Sequence, residues 1–229
     1  MIDAPAPAQP RRRATVPRGA VLALVAAALG GIGVGLLVHV LATSPNVRHT
    51  ASAGAGLRGQ ATWAPGAQPA PEIASLRDQT GHVFALSMLR GRAVAMTFFD
   101  SHCNQACPLE GRAIGVAMRA LPVSRRPALV VVSVNPRDTP ASERAAIHRW
   151  GLPAGITWHW LSGTHAQLAP VWHAYRVFVA PGRGDIVHTE ALYLLDRRGD
   201  ERSGYLYPFL PASVGHDLGI LAPKGVGHV

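Results

Sequence analysis

AVAMTFFDSHCNQACP, residues 93–108, is a nearly continuous apolar run that breaks into a polar loop and ends on a proline. An apolar run without alternation is what a strand buried on both faces requires, and such strands belong to sheets covered by helices on both sides. Pro108 suits the first turn of a helix, where its missing N–H costs nothing. The residue before a proline avoids the α region, which puts Cys107 at the helix boundary. The loop between them therefore leaves the carboxyl end of a strand and enters a helix. Ligands of open α/β sheets gather at that edge.

Working outward, Pro108–Leu121 reads as a helix with Ile114, Ala117, Met118 and Leu121 along one side. Ala128–Val134 is a second buried strand. Thr139-Pro140 supplies an N-cap and a first-turn proline for another helix, with Asp138 expected to help cap it. Thr157–Leu161 reads as a short strand, and Thr164 with Gln167 forms a capping box for a helix towards Tyr175. Glu190–Asp196 and Gly204–Tyr207 are strands joined by a turn at Arg197–Asp200, and Pro211–Leu221 is a closing helix. Before the first buried strand, Asp78–Gly81 forms a turn whose following arm is HVFALSML, an expected hairpin. Alternating strands and helices imply β-α-β units. The fold class expected is α/β: a thioredoxin-like central sheet flanked by helices, with an N-terminal hairpin extension. No internal repeat is present.

The rest of the chain sets the domain's context. Residues 1–19 form a Pro/Ala-rich tail with Arg11, Arg12, Arg13 and Arg18. Residues 20–42 carry no formal charge and are long enough to span a bilayer. The flanking arginines place the N-terminus in the cytoplasm and the rest outside. The run exceeds a signal-peptide core, so an uncleaved single-pass transmembrane anchor is expected in the cytoplasmic membrane. Residues 43–71 are rich in Gly, Ala, Pro and Ser and read as a flexible linker. Residues 72–222 form the domain, and residues 223–229 a short tail. The net charge is +9, but the arginines are scattered and aromatics make up only 6%, which argues against a nucleic-acid binder.

Cys103 and Cys107 are the only cysteines, too few for a disulfide scaffold. The loop between them is too short for a bridge to add much stability by restricting the unfolded chain. A helix N-terminus also favours thiolate formation. Their C-x-x-x-C spacing suits chelation without forbidding a disulfide. Two thiolates are soft ligands that favour Cu(I) or zinc, and at least one more ligand is expected. His102 is adjacent, but neighbours in an extended segment point to opposite sides. His188 directly precedes the EALYLLD strand, and by analogy with thioredoxin-like sheets the loop entering that strand passes beside the cysteines.

With these pieces in place, the domain resembles the Sco/SenC family, copper-binding thioredoxin-fold proteins that serve cytochrome c oxidase assembly. The resemblance runs from about Leu76 to Leu221 and rests on residues 100–108 (DSHCNQACP), 131–140 (VVSVNPRDTP) and 186–199 (IVHTEALYLLDRRG). It implies that Cys103, Cys107 and His188 ligate copper, as Cu(I), Cu(II) or both. It further implies that the protein passes the ion to the copper-site subunit of the oxidase or to another copper chaperone. Two places depart from the family pattern. Asp100-Ser101 stands where a Tyr or Phe followed by Thr is usual, and Asn135 stands where an Asp is usual. Asp100 is expected to oppose thiolate formation and to favour a bound cation. A thiol–disulfide oxidoreductase remains open as an alternative, with Cys103 attacking and Cys107 resolving. So does a sensory domain in which the pair is a redox switch.

Overall fold

The computed structural model describes residues 54–222, apart from residues 55, 153–154 and 182–185. The tail 1–19, the expected anchor 20–42 and residues 223–229 lie outside the described residues. Among the described residues no helix is long and apolar enough to cross a membrane.

Strand β1 (Ala61–Thr62) is followed by β2 (Val94–Phe99), helix α1 (Ala106–Arg119), β3 (Ala128–Ser133), α2 (Pro140–Arg149), β4 (Trp158–Leu161) and α3 (His165–Ala174). Strands β5 (Val179–Pro181), β6 (Ile186–His188), β7 (Ala191–Leu195) and β8 (Glu201–Leu206) precede α4 (Pro211–Leu221). Six strands form one mixed sheet in the order β1-β8-β7-β2-β3-β4, and β5 with β6 forms a separate ribbon. β2 pairs in parallel with β3 and antiparallel with β7.

All six residues of β2 and of β3 are buried, as their unbroken apolar runs demand. Alternate side chains go to opposite faces. Ala95, Phe99, Leu129 and Val131 pack under α1, α2 and α4. Val94, Met96, Phe98, Val130 and Val132 pack against α3 and residues 73–89. Capping residues start two helices where the sequence places them: Thr139 with Ser142 opens α2, and Thr164 with Gln167 opens α3.

Two expectations are corrected. HVFALSML is a hairpin arm only at its start: Arg77 and Val83 form an antiparallel bridge flanked by Asp78 N–H to His82 O and Phe84 N–H to Leu76 O, both 2.9 Å, after which Leu86–Leu89 coil into a 3₁₀ turn. The turn buries Leu86 and Leu89, three residues apart, which an extended strand would send to opposite faces. The linker read over residues 43–71 is, from Arg58 onward, fastened to the domain. The buried Asp217 carboxylate accepts hydrogen bonds from the Arg58 amide (2.9 Å) and the Gly59 amide (3.2 Å). β1 then pairs with β8, and the Gly66 amide donates to Asp200 at 2.9 Å. The partners that hold this segment lie more than 100 residues away in the chain, so no local periodicity announces them.

Gly115 on α1 lets the end of α2 approach closely: a Cβ there would lie 2.9 Å from the Gly151 carbonyl oxygen. We expect Gly115→Ala to lower stability by about 1–3 kcal/mol in chemical denaturation, because backbone must move. Gly219→Ala on α4 meets nothing nearer than 3.8 Å and is expected to gain about 0.5–1 kcal/mol. Equal changes in both variants would rule out the close approach as the cause.

Candidate metal centre

β2 ends at Phe99, and the chain turns through Asp100–Gln105 into α1, whose first turn contains Cys107 and Pro108. Cys107 is fully buried and Cys103 is 7% exposed; neither forms a disulfide. His188 arrives on the β5–β6 ribbon, which the sequence did not announce: its strands are only three residues long. The pairing Val179↔His188 sets the histidine at the ribbon's end, beside the start of β7. Its Nε2 lies 3.8 Å from Cys107 Sγ. Its Nδ1 lies 3.1 Å from the Thr189 carbonyl oxygen, which can only accept. Nδ1 therefore carries the proton and Nε2 offers its lone pair towards the sulfur. The hydrogen bond with Cys103, reinforced by burial, pushes the Cys107 thiol well above its ordinary range. The helix N-terminus, expected to favour a thiolate, is outweighed here.

His102 does not join the thiols. Its ring is half exposed, and its Nδ1 sits 3.4 Å from Asp100 and 3.3 Å from Asp138. These three form a cluster with metal-ligand spacing, but donors already occupy both carboxylates. Asp100 Oδ1 accepts from the His102 amide (2.9 Å) and from Asn135 Nδ2 (3.0 Å). Asp138 accepts from the Ser101 amide, from Ser101 Oγ at 2.6 Å and from Ser133 Oγ. It is thus a strut between loop and sheet rather than the helix cap expected of it; Thr139 caps α2. Asp100 and Asn135, the two departures from the family pattern, are partners in one hydrogen bond. The negative charge expected to act on the thiols is directed at an amide.

Sequence reasoning passed over Glu110. It lies one helical turn beyond Cys107, fully buried, with Oε2 unpartnered. Thr97 Oγ stands 2.8 Å from Glu110 Oε1 and 3.1 Å from the Ala191 carbonyl oxygen. A hydroxyl has one hydrogen, so both contacts are satisfied only when Glu110 is protonated and donates to Thr97. Burial pushes its pKa up to about 8, with the charges of Glu190 and Cys103 adding; Thr97, which could turn to donate to the ionised carboxylate, works the other way. A polar residue at a helix position facing the sheet was the available signal.

A family model described as SCO1/SenC matches residues 72–215. No curated protein matches the chain. Among solved structures, copper-bound ScoI of Bradyrhizobium japonicum is 29% identical with a TM-score of 0.57, over 67% of this chain and 99% of that one. Copper-bound Sco1 of yeast is 22% identical (TM-score 0.56), over 67% of this chain and 87% of that one. Copper-bound ScoI of Arabidopsis thaliana is 19% identical (TM-score 0.58), over 66% and 95% respectively. The mixed sheet flanked by helices is the architecture of these structures.

Two measurements check the buried polar groups. Asn135→Asp sets a second carboxylate against Asp100 and should cost about 1–3 kcal/mol at neutral pH. The swapped pair Asp100→Asn with Asn135→Asp should recover most of it; no recovery would show that the two do not act as a pair. Glu110 has a folded pKa raised above its ordinary 4.5, so the stability it contributes is full below that pH and is lost as pH rises towards about 8. Glu110→Gln should therefore gain on wild type by about 1 kcal/mol or more between pH 5 and pH 8. A constant difference across that range would show that the acid is not held neutral.

Proposed function

The chain belongs to the SCO1/SenC family, and on that premise we propose that it is a membrane-anchored extracytoplasmic copper chaperone. It binds one copper ion through Cys103, Cys107 and His188 and delivers it to the copper-site subunit of a respiratory cytochrome c oxidase, directly or through another copper chaperone. The observation that carries this reading is the convergence of an imidazole Nε2, its Nδ1 already engaged, on a buried thiol at 3.8 Å. Two sulfurs and one imidazole form a soft donor set suited to copper. Both thiols must lose their protons to bind it, so loading is coupled to pH. Delivery proceeds by ligand exchange: an acceptor thiolate bonds to copper as one copper–sulfur bond breaks, with no change of oxidation state required. Cys103 is the more exposed sulfur and the natural point of entry. His188 rides on a ribbon paired only to itself, so it can part from the ion without opening the main sheet. The charge-free run 20–42 behind four arginines supports the reading of an anchor with the domain outside the cytoplasmic membrane.

A second reading, thiol–disulfide exchange, is favoured by the hydrogen bond between the two thiols, which already brings the sulfurs together. The Cys103 thiolate would attack a partner disulfide and form a mixed disulfide. The Cys107 thiolate would then displace the partner, leaving a Cys103–Cys107 disulfide and a reduced partner dithiol.

Copper titration of the purified chain separates the two readings. Wild type should bind one copper, releasing about two protons at pH 7 when calorimetry is repeated in buffers of different ionisation enthalpy. His188→Ala should weaken Cu(II) binding by about tenfold or more and change its spectrum. Cys103→Ser with Cys107→Ser should abolish binding. An unchanged His188→Ala spectrum would remove His188 from the site, and disulfide reduction without copper binding would hand the function to the second reading.

A further inference from the structure

Charge in this domain is sorted by depth. Eight of the eleven carboxylates among the described residues are buried, whereas twelve of the fifteen arginines are exposed. The arginines are densest at one end of the sheet. Arg90 and Arg92 precede β2, Arg125 and Arg126 precede β3, and Arg197 and Arg198 follow the antiparallel β7. The register puts all three loops at the edge opposite Cys103 and His188. Two of the loops touch: Arg197 Nε donates to the Gly91 carbonyl at 3.0 Å, and the Arg90 guanidinium lies against Gly199. In the third, Arg125 and Arg126 are half-buried and donate to the carbonyls of Gly219 (2.9 Å) and Leu121 (3.3 Å). The acids of this end do not offset them at the surface. Asp196 is buried and paired with Arg202 at 3.2 Å, and Asp200 is buried on the Gly66 amide. Each loop also carries an exposed apolar side chain beside its arginines, or has one next to it: Met88 (68% exposed) before Arg90, Val123 (61%) before Arg125, and Ile220 (48%) on α4 next to Arg197 and Arg198.

We infer that this arginine pole docks the domain on an anionic lipid surface. Guanidinium groups bind phosphate, and apolar tips projecting among cations are what an interfacial segment presents to the headgroup boundary. An acidic protein would answer the charge but would leave three separated apolar tips without a matching feature. The inference rests on the anchoring reading in one respect: the run 20–42, which ends 12 residues before Gly54, brings the domain within reach of a bilayer.

The full chain is reconstituted in nanodiscs of phosphatidylcholine alone and of phosphatidylcholine with about 30% phosphatidylglycerol, and amide hydrogen exchange is followed by mass spectrometry. Exchange in residues 86–93, 122–127 and 195–200 should slow by about tenfold in the anionic discs. The slowing should disappear in 0.5 M salt. It should also disappear in Arg90→Gln with Arg92→Gln, two arginines at the surface whose loss leaves the core untouched. Equal exchange in both lipids, or slowing confined to the Cys103 edge, overturns the inference. So does equal slowing when soluble polyglutamate is added to neutral discs, which would make the pole a protein-docking face. Failure of the chain to co-elute with either disc would defeat the anchoring reading instead, a separate result.

Discussion

Strand β2 meets water on neither face, and the rest of the domain follows from covering it. Its odd-numbered residues need α1, α2 and α4 on one side, and its even-numbered residues need α3 and the 73–89 segment on the other. A strand covered this way has only its ends free. Its carboxyl end opens at Asp100, and α1 must start at once to return over the sheet. The cysteines are placed by that geometric demand: Cys107 in the first turn of α1, fully covered, and Cys103 in the loop just outside. The hydrogen bond with Cys103 and the loss of hydration in such a position together outweigh the helix terminus, and Cys107 keeps its proton until something displaces it.

The loop that presents the thiols is short and polar, so it needs its own supports. These come from β3 and α2 rather than from neighbouring residues. Asp138 reaches back to Ser101 and Ser133, Asn135 reaches Asp100, and Arg149 donates to the Ser101 carbonyl at 3.0 Å. The carboxylate–amide pair of Asp100 and Asn135 has one acceptor and one donor where two acids would repel. The pair thereby ties the thiol loop to the residues that follow β3.

Which of these features could be read from the chain depended on how local their causes are. Buried strands announce themselves by apolar runs, and α2 and α3 by caps within three residues of their starts. The contact of His188 with Cys107 was legible because an imidazole stood just before a strand whose neighbour in the sheet bears the thiol loop. The ribbon carrying His188 was not, since three-residue strands leave no periodic trace. The 86–89 turn hid because a single leucine pair three residues apart is too short a stretch to establish a helical period. Segment 58–70 hid because its fastenings are backbone donors to Asp217 and Asp200, and a backbone amide has no sequence signature. Glu110 was readable in principle, as a carboxyl on the buried face of α1, yet its protonation follows only from Thr97 having one hydrogen for two acceptors.

The sorting of charge by depth connects the interior to the chemistry at the surface. Burial raises the pKa of Glu110 to about 8, that of Glu143 to about 7, and those of Asp138 and Glu201 in the same direction. Glu110, held neutral at pH 7, does not cancel an arginine outside, and with eight carboxylates buried the field at the surface of the domain is more positive than its composition implies. Such a field slows the approach of free cations and favours encounter with anionic carriers and surfaces. A soft site of two sulfurs and one imidazole, set at the edge away from the arginine pole, is therefore suited to take a metal from a ligand that already holds it. The same polarity leaves the opposite edge free to face a bilayer while the thiols face away from it.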